Sequence, residues 1–135
     1  MSARTIRLAL ALAFFAGPAA AQDVDCATAM AQVDLNACAY RDWEEADGRL
    51  NAVYKQVVAT YTQMDADLPK ELGSGVETLR QAQRAWVTFR DKACEAEGFA
   101  MRGGSAEPLL VYGCMRVLTE ERIGHLQGML DAFGG

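Results

Sequence analysis

Ala39, Trp43, Ala46, Leu50, Val53, Val57 and Tyr61 follow one another at steps of 4, 3, 4, 3, 4 and 4. That spacing is one apolar face of an α-helix, held for about six turns. Two further stripes repeat the pattern. Leu72, Val76, Leu79, Gln83, Trp86, Arg90 and Ala93 form one, and Val111, Met115, Leu118, Arg122, Leu126 and Met129 the other. No segment alternates as a half-buried strand does, so the reading is all-α. The first helix is expected to start near Asp34 or Asn36, both good N-caps, and to fade near Met64. Pro69 suits the first turn of a second helix, which Gly98 closes. Arg102-Gly103-Gly104-Ser105 reads as a turn, a third helix follows from about Ala106, and Phe133-Gly134-Gly135 reads as a frayed end. Short connections between long helices make consecutive helices antiparallel neighbours. The expected architecture is an up-down-up arrangement of three helices with a short N-terminal arm.

The chain has 135 residues, the usual allotment for one domain. It is too short for a barrel or a full dinucleotide-binding fold. Residues 1–21 differ in kind from the rest. Arg4 and Arg7 precede the apolar run Leu8–Ala16, a helix-breaking Gly17-Pro18 and the small residues Ala19-Ala20-Ala21. This is the layout of a secretory signal peptide cleaved near Ala21. The run is too short to span a bilayer. Residues 22–135 are then expected to form a single helical domain, exported to the periplasm or secreted. Losing Arg4 and Arg7 leaves 11 basic against 18 acidic residues, a net charge of −7. Nucleic acid is a poor partner for such a surface, because phosphate contacts need clustered cations.

Cys26, Cys38, Cys94 and Cys114 all follow the leader, and four cysteines in a small exported chain read as two disulfides. A metal site is not expected: there is no CxxC pair, and the single histidine, His125, lies outside any ligand spacing. No cofactor is implied.

Five motifs stand in order along the chain. They are Asn36-Ala37-Cys38-Ala39, Asp47-x-x-Leu50-Asn51-x-x-Tyr54, Ala82-Gln83-x-x-Trp86-x-x-x-Arg90-Asp91-x-x-Cys94, Gly103-Gly104-Ser105, and Cys114 followed by Thr119-x-x-Arg122. In these motifs the chain resembles the LprI-like family, small exported bacterial proteins named for a lysozyme inhibitor. Leu35 stands where a methionine is usual in that family. The segment between the third and fourth cysteines is much shorter in some relatives. The resemblance thus implies a local Cys94–Cys114 bridge, leaving Cys26–Cys38 to pin the N-terminal arm. A rival pairing stays open, since an antiparallel hairpin also brings Cys38 level with Cys94.

Asp47, Asn51 and Tyr54 share one helix face, and Gln83, Trp86 and Arg90 share another. Antiparallel pairing sets the Asp47 level against Arg90. The favoured reading is a structural polar network, with Asp47 on Arg90 and with Gln83 and Asn51 filling the remaining hydrogen bonds; a ligand cleft between helices is the alternative. Trp86 is expected in the core opposite Trp43 or Leu50. Thr119 and Arg122, one turn apart, either brace the bundle or bind.

An enzyme is not expected. Glu44-Glu45 and Glu120-Glu121 are adjacent, so they do not face one another, and the lone histidine has no nucleophile beside it. The resemblance implies a non-enzymatic binding protein that inhibits lysozyme by blocking its cleft. Either the loop Arg102, Gly103, Gly104 and Ser105 or the acidic face of Asp42, Glu44 and Glu45 would make the contact. c-type lysozymes are strongly basic, so the acidic chain would be steered toward them. The alternative is a structural or interaction module of the cell envelope, docking on another exported protein.

Overall fold

The computed structural model describes residues 24–133, so the expected leader at 1–21 lies outside the described residues. Three α-helices make up the fold: α1 (Gln32–Asp67), α2 (Gly75–Gly98) and α3 (Glu107–Phe133), with one-turn 3-10 helices at Lys70–Leu72 and Phe99–Met101. There is no strand among the described residues. No helix among them is long and apolar enough to cross a membrane.

The topology follows from which residues meet. Asp47 of α1 pairs with Arg90 of α2, and Asp65, further along α1, meets Gly75 and Val76 at the start of α2. Those two helices are antiparallel. Gln83 with Arg122 and Cys94 with Cys114 set α2 antiparallel to α3. Arg49 with Glu120 and Tyr61 with Phe133 set α1 parallel to α3. The order is up-down-up. The α1–α3 pair has the most extensive contact and α1–α2 the least.

The central core is thin. Leu50, Val57, Leu79 and Leu126 are buried together, and Val53, Tyr54, Tyr61, Trp86, Ile123 and Met129 pack around them. The expected face of α1 is largely the one that is buried. In α3 the buried positions are Met115, Thr119 and Leu126, so Thr119, not Leu118, holds the innermost place in the middle of that helix.

The disulfides are Cys26–Cys38 and Cys94–Cys114. The rival Cys38–Cys94 pairing is excluded: each helix-terminal cysteine is satisfied by its nearest partner in the chain. Each bridge contributes about 2–4 kcal/mol on loop-closure grounds. Close helix packing reaches the same end. Gly98 is buried where α2 meets α3, and a Cβ there would collide with Val111 Cγ2.

The helix ends differ from expectation in instructive ways. Neither Asp34 nor Asn36 caps α1, which begins at Gln32 after Ala31 with no side-chain cap. Asn36 instead accepts from Gln32 Nε2 and donates to Ser105 O at 2.8 Å, tying α1 to the start of α3. α1 also runs past Met64 to Asp67, because Asp65 has a structural task. Its carboxylate accepts from Gly75 N (2.8 Å), Val76 N (3.0 Å) and Ser74 Oγ (2.8 Å). Pro69 does not fall in the first turn of α2 but precedes the 3-10 turn, and α2 begins at Gly75, capped by Ser74, which accepts from Glu77 N at 3.1 Å. Leu72, assigned to the core stripe from sequence, falls in the 3-10 turn and is 72% exposed.

The hydrogen bonds from Val76, then Ser74, then Gly75 hold the Asp65 carboxyl below its ordinary pKa. A depressed folded-state pKa adds stability that is full above the unfolded value, near 4, and is lost as pH falls through the folded one. Unfolding free energy should therefore decline below about pH 4, and the decline should be shallower in Asp65→Ala, measured by urea denaturation across pH 2–6. An acid limb of identical slope in both proteins would contradict this role for Asp65.

Candidate functional site

Where α1, α2 and α3 meet at the level of Asp47 and Thr119, a charged side chain sits inside the bundle. Arg90 of α2 is 5% exposed. Its Nη1 donates to Asp47 Oδ1 of α1 at 2.8 Å and to Thr119 Oγ1 of α3 at 3.3 Å. Its Nε donates to Asp91 Oδ1 at 2.9 Å. The guanidinium lies 5.5 Å from the Trp43 ring centre and 5.2 Å from that of Trp86, so aromatic faces cover it on two sides. One side chain thus joins all three helices. The geometry suits arginine because a planar fork can hydrogen-bond at its edge while stacking on its faces.

The residues assigned to this network from sequence separate into three groups. Asp47, Arg90 and Trp86 meet as expected by level. Asn51 is exposed and donates to Asp47 Oδ2 at 3.0 Å, touching the network only at its rim. Gln83 does not reach Arg90: its Oε1 accepts from Arg122 Nε at 3.0 Å. Tyr54 packs against the central core. Trp86 packs against the core cluster that contains Leu50, with the Arg90 guanidinium 5.2 Å and that of Arg122 5.8 Å from its ring centre. Sequence reasoning missed Asp91 as a partner of Arg90 and left Thr119 undecided. A threonine on a buried helix stripe, where a valine would pack as well, was the available signal for the second.

Beside this cluster is the loop Arg102, Gly103, Gly104 and Ser105, and it is tied down at every residue. Arg102 Nη1 donates to Glu107 Oε1 and Gly103 N to Glu107 Oε2, each at 2.8 Å. Gly104 N donates to Met101 O at 2.8 Å, and Ser105 O accepts from Asn36. Gly103 has φ +76°, the left-handed region that favours glycine. Phe99 and Met101 flank the loop with 63% and 50% of their surfaces exposed, and Arg102 lies over the Phe99 ring. Tyr40, Trp43 and Tyr112 form an aromatic trio nearby, with Trp43 and Tyr112 stacked at 5.7 Å.

The acidic face has a different character. Asp42, Glu45 and Glu120 share a shallow surface recess with Arg49 and Arg116, and Arg49 pairs with both Glu45 and Glu120. Glu44 accepts from the Tyr40 hydroxyl, and its charge pushes the Tyr40 pKa up. Much of this acidity is compensated locally. His125 is exposed, and no group of three or more metal-ligating residues occurs among the described residues.

Arg90→Lys keeps the charge but loses the fork and the stacking. It should cost about 2–4 kcal/mol of unfolding free energy in urea denaturation. Arg49→Lys, at a half-exposed surface pair, should cost under about 0.5 kcal/mol. Equal losses would show that the buried position of Arg90 carries no special weight.

The chain is 42% identical over 120 residues to an uncharacterised protein of Rhizobium meliloti (strain 1021), an alignment spanning 85% of this chain and 86% of that one. No solved structure matches it. The model of the family described as "Lysozyme inhibitor LprI" matches residues 24–126, which includes both disulfides, the Arg90 cluster and the glycine loop. The chain belongs to the LprI lysozyme inhibitor family.

Proposed function

We propose that this protein is an exported, non-enzymatic inhibitor that binds c-type lysozyme and blocks its cleft with the loop Arg102–Ser105. The observation that carries the reading is the family match over residues 24–126. The signal-peptide pattern of residues 1–21 supports export, with cleavage near Ala21 and a periplasmic or secreted location.

Three features favour the loop over the acidic face. First, it is already ordered by Glu107, Met101 and Asn36, so docking costs little further conformational entropy. Second, Phe99, Met101 and Arg102 flank or form it, and aromatic, methionine and arginine side chains are enriched at protein interfaces. Third, the carboxylates of the acidic face are partly neutralised by Arg49. The net charge of −7 after leader removal then acts at long range, speeding approach of a basic enzyme.

The test follows lysis of bacterial cell walls by hen-type lysozyme with increasing oxidised protein from Gln22 onward. Dose-dependent inhibition is expected, weakening as salt rises through about 0.15 M. Phe99→Ser with Met101→Ser should weaken inhibition at least about tenfold with little change in melting temperature, since both side chains are exposed. Asp42→Asn with Glu44→Gln should reduce only the salt sensitivity. No inhibition at a hundredfold excess would overturn the reading. Loss of inhibition confined to the second pair would move the contact to the acidic face.

A further inference from the structure

At the end of the bundle remote from the disulfides, α2 and α3 part around a groove of about 410 Å³. Tyr61, Leu68, Leu72, Leu79 and Met129 supply its apolar walls, and Ser74 and Thr78 its polar rim. Among the residues lining it, Arg122 is the one charged side chain. Arg122 is half-buried and stands on the inward stripe of α3. Its Nε donates to the neutral Gln83 Oε1, and its guanidinium leans on the Trp86 face. None of the ion pairs among the described residues includes it. Burial lowers its pKa from the ordinary arginine value.

The contrast with Arg90 is the core of the argument. Arg90 is more deeply buried and its fork is filled by two carboxylates and a hydroxyl. Arg122 is placed one turn further along the same seam with its terminal nitrogens uncommitted. A partly buried charge is stabilised by a counter-charge, and a guanidinium fork matches a carboxylate in two parallel hydrogen bonds. Asp65, whose partners Ser74 and Gly75 line the groove, is committed to Ser74, Gly75 and Val76, which also occupies the backbone donors at the start of α2. The groove therefore offers one cation at its inner wall and apolar surface along its length.

We infer that this groove binds a small amphiphile with a single carboxylate, its head on Arg122 and its alkyl tail along Leu68, Leu72 and Met129. A volume near 410 Å³ lies within the range of small-molecule sites. The occupant is a free amphiphile rather than a membrane surface on two grounds. Arg122 is recessed between helices, and a chain with a net charge of −5 is repelled by an anionic bilayer. The site is independent of lysozyme binding, since it lies at the opposite end of the bundle from the glycine loop.

The test titrates decanoate, below its micelle concentration, into the oxidised chain, by calorimetry and by tryptophan fluorescence, because Trp86 adjoins Arg122. Saturable binding with a fluorescence change is expected. Decanol, of equal tail length and no charge, should bind at least about tenfold more weakly. Arg122→Gln should lose a similar factor. Arg122→Gln also disturbs Gln83, so Leu72→Glu serves as a second variant: Leu72 is 72% exposed, and a carboxylate at the groove mouth should repel the ligand without unfolding the protein. Equal affinity for decanol and decanoate, no saturable binding of decanoate, or decanoate affinity unchanged in both variants would overturn the inference. Co-sedimentation with phosphatidylglycerol vesicles that is lost in Arg122→Gln would overturn it in favour of a membrane surface.

Discussion

A guanidinium taken out of water between three helices sets the terms for the rest of this structure. Arg90 is 5% exposed, and leaving such a charge without partners would cost several kcal/mol, a large fraction of the stability of a small domain. Its partners come from every helix: Asp47 and Trp43 from α1, Asp91 and Trp86 from α2, and Thr119 from α3. Sliding any helix by a residue would break at least one of these contacts. The central apolar core, with only Leu50, Val57, Leu79 and Leu126 buried together, specifies that register far less sharply. Buried polar clusters of this sort define which arrangement is adopted more than they deepen its stability.

The two ends of the bundle are held by different means, and that division bears on function. At the loop end, both disulfides, the Gly98–Val111 contact, the Asn36–Ser105 hydrogen bond and the Arg102–Glu107 pair converge. Rigidity there presents Phe99 and Met101 on a fixed frame. At the far end, one carboxylate, Asp65, closes the α1–α2 connection through the first backbone N–H groups of α2. The groove beside Arg122 belongs to that end.

Much of the fold was legible because helical spacing and burial are two views of one constraint. The stripe from Ala39 to Tyr61 identifies α1 and its inward face. The Asp47–Arg90 level followed from antiparallel pairing alone. Periodicity could not say which of two polar partners on a stripe would meet which charge. Gln83 and Arg90 lie about two turns apart on one face, yet Gln83 reaches across to Arg122 on α3, whose height is set by tertiary packing. The caps failed for a related reason. Asn36 has the chemistry of an N-cap but is used by Ser105, and Asp65 resembled a fading helix end while serving the next helix. Connectivity of the cysteines was beyond spacing too, because antiparallel geometry allowed Cys38 two partners and only the resemblance favoured one.

The most direct test of this account is a double-mutant cycle between Arg90→Met and Asp47→Asn, read by urea denaturation of the oxidised protein. If the buried guanidinium joins α1 to α2, the two substitutions will be strongly non-additive, with a coupling energy of about 1–3 kcal/mol. Losses that add to within about 0.3 kcal/mol would mean that the two side chains act independently, and the claim that Arg90 organises the bundle would be wrong.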